Sequence, residues 1–400
     1  MSNVILSSGD GRRFLVAQLM DSLGAGLSSV VLPWLVLDAG GSGAEAGAAF
    51  LVGTVPYVLL GLPAGDIGDR RPRRRVMELG VTCQLLAALV IPLVVVAGVE
   101  ADQLPLALIY AAGLGVTAGR VFVDAAAFGA IARLVGEGHF VEGQAALSFV
   151  WSLGLLIGPA VGGALIGLLG AEDALWVQAA GFLLALVLIS SIRLDLGPGD
   201  EHAAAGEGSL LSGLTLVARQ PMLRLLTMVG MAWNLTVNMI YALLVVFARS
   251  ELGAGGPQTG WMLAIGGGAG LVGGLSAPLV HRRFGAANAL RGALLVSAAG
   301  SVLLALSTNV WQGTVAFALV EASGLLFVTL LIGERQTVAR SHEQARVGIT
   351  GRMAALLASS LGAVVASVMV ARMDPSAVFA VSAAGTVAVA LAGQRLLGRL

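Results

Sequence analysis

The chain has 400 residues, of which 57% are hydrophobic and only 12% charged, and its mean hydropathy is +0.90. Soluble domains carry charge on about a quarter of their residues, so the composition excludes an ordinary soluble domain and points to an integral membrane protein. The formal net charge of +0 says nothing about acidic partners; what matters is where the charges sit, and no nucleic-acid partner is expected.

A membrane span needs about 20 mostly apolar residues, and the hydropathy pattern predicts twelve of them. They fall at roughly 13–37, 45–67, 75–98, 105–130, 143–169, 175–193, 222–248, 258–280, 287–307, 311–332, 349–371 and 376–396. The opening residues, MSNVILSSGDGRR, lack the apolar core and cleavage site of a signal peptide, so the first span is expected to be retained. That span carries a carboxylate, Asp21, well inside it. After the second span comes PAGDIGDRRPRRRVM, Pro63 to Met77, in which Gly65 is placed to let helices approach closely and Asp69 to favour the positive end of a neighbouring helix. Arg70, Arg73 and Arg74 hold this loop at the membrane face. The third span holds Cys83, the only cysteine, which excludes disulfides and clusters of cysteine ligands.

Arg120 and Asp124 stand four residues apart in the fourth span, the spacing of an intrahelical ion pair; Asp124 could instead receive Arg73. The fifth span contains GLLIGPAVGG, Gly154 to Gly163. There Gly154, Gly158, Gly162 and Gly163 offer a smooth face for helix packing and Pro159 bends the helix. The stretch from Arg193 to Gly213, rich in Gly, Pro and acidic residues, reads as a linker. Segments on either side resemble each other at an offset of about 213 residues, which carries Asp21 onto Asn234 and Gly61 onto Gly274. Two six-helix halves are expected, 1–193 and 216–400, joined by a linker at 194–215. Repeats of this kind place a substrate site near the bilayer midplane. In the seventh span Asn234 and Asn238 share one helical face, either as hydrogen-bonding glue or as cavity lining. Met231 and Tyr241 on the same span, with Met20, Trp34, Trp233 and Met239, supply adaptable apolar surface. In the tenth span, Glu321 has no basic neighbour on its own face within one turn. Deep charges are costly and mark candidate functional positions. Gln84 and Gln178 read as links between helices.

All basic residues are Arg. If both termini are cytoplasmic, nearly all of them, Arg335 included, flank the cytoplasmic side, and only Arg249 and Arg372 fall outside, as the bias of basic residues to cytoplasmic loops requires. His139, His202, His281 and His342 fall singly at predicted loops or helix ends, so no metal cluster or Cys/His nucleophile can be assembled, and no phosphate-binding glycine loop occurs. An enzyme is not expected, nor a cofactor; the energy source must be an ion gradient.

The loop from Gly65 to Arg74 resembles the G-x-x-x-D-R-x-G-R-R motif of the major facilitator superfamily, with Pro72 where the family has Gly. The fifth-span glycine pattern resembles the signature of that superfamily's exporter branch, with Ala145 in place of a further upstream Gly. With RVFVDAAAFGAIARLV and the first span, the chain resembles bacterial exporters of macrolides, other drugs and siderophores over its whole length. The resemblance implies an all-α protein of twelve helices in which spans 1, 4, 7 and 10 line a central cavity. Those four spans carry Asp21, Arg120, Asp124, Asn234, Asn238 and Glu321. It implies a monomeric, proton-coupled exporter of amphipathic compounds in the bacterial inner membrane, with Glu321, Asp21 and Asp124 as proton-carrying candidates. Asp69 is expected to latch onto the span-11 end near Gly348 to Arg352. Uptake instead of export, or a receptor on the same helices, is the alternative.

Overall fold

The structure, a computed structural model, describes residues 4–136, 139–197, 210–339 and 344–397. Among these residues there is no strand. Twelve helices are long and apolar enough to cross a membrane. They are α1 (Gly9–Asp38), α2 (Gly43–Arg70), α3 (Arg73–Val96), α4 (Leu106–Val135), α5 (Phe140–Leu169), α6 (Ala171–Ser190), α7 (Pro221–Ser250), α8 (Gly256–Phe284), α9 (Ala286–Ala305), α10 (Val310–Val338), α11 (Gln344–Val370) and α12 (Pro375–Leu397). Helices are the expected solution, because hydrocarbon offers no partner for a free backbone N–H or C=O. Several run beyond their apolar windows. α10 continues six residues past the predicted end, which brings Arg335 onto the helix.

Local sequence sets the ends. Ser8 caps α1 by accepting from the Gly11 N–H at 2.9 Å, and Asn309 caps α10 by accepting from Gln312 N–H at 3.0 Å. Gly170 and Gly285 each form a one-residue junction between helices with φ of 97° and 73°, a conformation that a side chain would strain.

The chain divides into two compact units, residues 1–41 with 52–206, and residues 42–51 with 207–400. In the first, α1 packs on α5 and α6, and α3 on α4 and α6; in the second, α7 packs on α11 and α12, and α9 on α10 and α12. The same pairings thus recur six helices later. Lipid is as apolar as a leucine side chain, so close packing and polar links hold such helices together. Leu79, Leu275 and Trp311 accordingly point outward, 72%, 74% and 74% exposed, while Phe14, Phe182 and Phe317 are fully buried.

Candidate functional site

The first unit brings Asp21, Arg120 and Asp124 together. Asp21 on α1 is 1% exposed and Arg120 on α4 is 8% exposed. Arg120 Nη1 lies 3.6 Å from Asp21 Oδ2, and its Nε lies 3.7 Å from Asp124 Oδ2. Both contacts are longer than a hydrogen bond. The guanidinium's own hydrogen bonds are long as well, 3.3 Å to the Asp21 carbonyl and 3.4 Å to Ser22 Oγ. One cation therefore stands between two carboxylates without being locked to either.

Two residues complete the cluster. Gln84 on α3 donates to Asp21 Oδ1 at 2.8 Å, and Tyr57 on α2 donates to Asp124 Oδ2 at 2.7 Å. Asp21 Oδ2 and Asp124 Oδ1 are buried with no hydrogen-bond partner among the described residues. Gln84 links α3 to α1 as expected, and does so from a buried position through the Asp21 carboxylate. Gln178 likewise links helices, donating to the Gly24 carbonyl at 2.9 Å and to Ser28 Oγ at 2.6 Å. Tyr57 was invisible to charge-based reading because a phenol gives no charge signal. The ion-pair alternative for Asp124 is the one observed; Arg73 turns elsewhere, donating to the Leu196 carbonyl at 3.3 Å.

At the arginine-rich end, Arg13, Arg73 and Arg74 converge on the last turn of α6 and the chain beyond it. Arg74 donates to the Ser190 and Ile192 carbonyls, and Arg13 to the Ser191 carbonyl. Asp10 accepts from the Arg193 and Leu194 N–H groups. Guanidinium groups at free carbonyls oppose the negative end of the helix dipole. Arg73 is buried, packed so close to Gly129 that a Cβ there would lie 2.2 Å from its Nε. Arg70 forms an exposed pair with Asp66 at 2.8 Å. The Asp69 side chain lies outside the described residues. For Gly65 the close-approach reason is corrected, since a Cβ there would meet no atom within 4 Å. Contact occurs one turn on, at Gly68, whose Cβ would lie 3.6 Å from Ala125.

The fifth-span glycines form a seam with α1. A Cβ on Gly154 would lie 2.3 Å from Ser22 Cβ, on Gly158 2.7 Å from Gly26 Cα, and on Gly162 3.2 Å from Leu27 Cα. Pro159 reaches the same place: its Cδ would be 3.0 Å from a Cβ on Gly26. Gly163 is buried. Ser22 both meets this seam and touches Arg120, so backbone packing and the charged cluster share a residue.

In the second unit, Glu321 on α10 is half-buried and faces the Tyr241 hydroxyl of α7 as its hydrogen-bond partner. It has no ion pair among the described residues. Gly266 and Gly270 on α8 make room for it: their Cβ atoms would lie 3.2 Å from Glu321 Cγ and 3.4 Å from its Oε2. Tyr241 meets Phe317 edge-on at 6.1 Å. Asn234 and Asn238 are bridged by Ser359 of α11, which donates to Asn234 Oδ1 at 3.3 Å and accepts from Asn238 Nδ2 at 3.0 Å. Asn238 thus links helices. Asn234 and Met231 also line a cavity of about 390 Å³ between α7, α10 and α11. Trp233 and Met239, considered as cavity lining, are buried in packing, Trp233 against Phe327 at 5.1 Å.

Comparison with known proteins gives concordant results. The family model described as Major Facilitator Superfamily matches residues 14–348. The multidrug efflux pump Tap of Mycobacterium tuberculosis is 31% identical over 309 residues, covering 75% of this chain and 73% of that protein. Its namesake from Mycolicibacterium fortuitum is 31% identical over 227 residues; there the match spans about half of each protein, 54%. Among solved structures, the nucleoside transporter NupG has a TM-score of 0.78 at 14% identity, covering 97% of this chain and 99% of that one. A bacterial homologue of the iron transporter ferroportin has a TM-score of 0.74 at 17% identity, covering 97% of each chain.

Proposed function

The chain belongs to the Major Facilitator Superfamily, and we propose that it is a proton-coupled exporter of small amphipathic compounds, working by alternating access of two halves, 1–193 and 216–400, joined by the linker at 194–215. It is a multi-pass membrane transporter and not an enzyme. The observation that carries the proposal is the charge count around Arg120: two buried carboxylates share one guanidinium at 3.6 and 3.7 Å.

If both acids are ionised, one negative charge is left over in a region of low dielectric, where an uncompensated charge is costly. A proton on Asp21 or Asp124 removes it. When that proton leaves, Arg120 shifts toward the newly charged oxygen, which its long and undirected contacts permit. Asp21 and Asp124 are thus the proton carriers of the first unit, with Gln84 and Tyr57 orienting them. Glu321, hydrogen-bonded by Tyr241 and without an ion pair among the described residues, is the carrier of the second unit. Arg120, Met231, Asn234 and Tyr241 offer polar and adaptable contacts to substrate, while Asn238 serves mainly to position Asn234.

Export is supported by the efflux pumps among the relatives, and by the glycine seam between α1 and α5, which sets the helix carrying Asp21 directly on a glycine-lined face. The arginine distribution supports a bacterial cell membrane location with both termini cytoplasmic. The protein is expected to act as a monomer.

The test is purified protein in proteoliposomes with an imposed pH gradient, offered erythromycin, tetracycline and an aminoglycoside. Proton-driven accumulation of at least one compound, in the direction opposite to proton flow, is expected. Flow of both in one direction would make the protein a symporter, and no compound-stimulated proton movement would remove proton coupling.

A further inference from the structure

Arg335 is a guanidinium that the coupling network does not use. It lies in the last turn of α10, is 8% exposed, and has no ion pair among the described residues. Its Nη2 donates to the Leu226 carbonyl of α7 at 3.1 Å, and its Nε has no hydrogen-bond partner among the described residues. The adjacent Glu334 is turned away to His281 of α8, Oε1 to Nδ1 3.4 Å. Glycines on two helices make room for the guanidinium: a Cβ on Gly230 would lie 2.8 Å from Nη2, and one on Gly351 2.6 Å from Nη1.

The same side chain lines the cavity of about 390 Å³ that Asn234 and Met231 enter. That volume falls within the range of about 300–1,000 Å³ usual for small-molecule sites. Arg352 and Gln336 add donors, and Leu331 and Val347 are among the apolar walls. Asn234 occupies the position that the offset of 213 residues relates to Asp21. In the first unit that position supplies Arg120 with a carboxylate; here it holds a neutral amide engaged by Gly230 and Ser359, and the buried cation has no acid among the described residues. Leaving one charge of this kind buried and unpaired is strongly unfavourable, so the pocket favours an anion beside Arg335.

We infer that this cavity binds an amphipathic anion, a carboxylate or phosphate monoester carried on a small apolar body. The anionic group lies between Arg335 and Arg352, where guanidinium forks match its oxygens, and the apolar body rests on the α10 and α11 walls. The inference stands on the second unit alone and does not require proton coupling.

Direct binding tests it. The full chain, purified in neutral maltoside micelles, is titrated by thermal shift with octyl phosphate, octanoate, inorganic phosphate and octyltrimethylammonium. Octyl phosphate and octanoate raise the melting temperature saturably, inorganic phosphate binds about tenfold or more weakly for want of apolar contact, and the cation has no effect. Arg335→Gln weakens octyl phosphate binding by about tenfold or more. Arg352→Glu, at an exposed position and therefore compatible with folding, does the same. Added dihexanoylphosphatidic acid, a lipid phosphate monoester, distinguishes the source: competition assigns the anion to membrane lipid, no competition to a soluble compound, and either supports the site. Equal stabilisation by the cation, or wild-type binding of octyl phosphate in both variants, overturns it.

Discussion

Gln84 donates to Oδ1 of Asp21 at 2.8 Å, which leaves Oδ2, 3.6 Å from Arg120, as the oxygen free to exchange a partner. The amide therefore fixes the carboxylate's orientation while leaving its charge to be balanced by other groups. Gln84→Leu keeps the bulk and removes the donor. It should lower stability by about 1–3 kcal/mol, because a buried acceptor loses its bond, and should slow proton-driven efflux more than downhill exchange. Equal effects on the two fluxes would reduce Gln84 to a packing residue.

Arg120 and Asp21 should be energetically coupled. Removing Arg120 alone leaves Asp21 and Asp124 buried without a cation, a loss of about 3–5 kcal/mol, whereas removing Asp21 alone leaves Arg120 beside Asp124 and should cost less. The pair Arg120→Gln with Asp21→Asn should cost less than the sum of the singles, because one stranded carboxylate, Asp124, remains where Arg120→Gln alone strands two. Additive losses in a thermal-denaturation cycle would show that Asp124 alone neutralises Arg120.

Glycine substitutions should separate the seam from the loop. Gly158→Ala puts a Cβ 2.7 Å from the backbone of Gly26 and Leu23, with no flexible side chain to yield, and should destabilise by about 1–3 kcal/mol and abolish export. Gly65→Ala meets no atom within 4 Å and should change stability by no more than about 0.5 kcal/mol. A reversed order would remove the packing explanation of the fifth-span motif.

Arg74 should act as a clamp on α6. Its hydrogen bonds to the Ser190 and Ile192 carbonyls involve a side chain 41% exposed, so solvent screening limits Arg74→Ala to a loss of about 1 kcal/mol. Arg70→Ala, which breaks only the exposed pair with Asp66, should cost less. Hydrogen exchange at residues 190–196 reads the difference directly: faster exchange in Arg74→Ala alone is expected, and unchanged exchange would contradict the clamp.

Much of this was legible in the sequence. Apolar windows give all twelve helices because a span must bury its backbone polarity within itself. The deep charges Asp21, Arg120 and Asp124 stand out because hydrocarbon leaves so few of them. What escaped was neutral or lay at helix ends. Tyr57 and Gln84 carry no charge, and their role depends on contacts 67 and 63 residues away. Arg335 read as a loop arginine because hydropathy falls off before α10 ends, whereas hydrogen bonding carries the helix through Val338. Gly65 fits a family motif by spacing alone, and spacing cannot say which glycine of the motif touches a neighbour.

The claim that the Asp21 cluster carries the coupled proton is tested most directly by counting protons released when substrate binds. Purified protein in weakly buffered solution receives the compound that the vesicle assay shows to be transported best, and released protons are read with a pH indicator. Wild type should release protons on binding, and Asp21→Asn should bind the same compound with that release lost or sharply reduced. Release in Asp21→Asn equal to that of wild type, with binding intact, would contradict the account and move the coupling to Asp124 or Glu321.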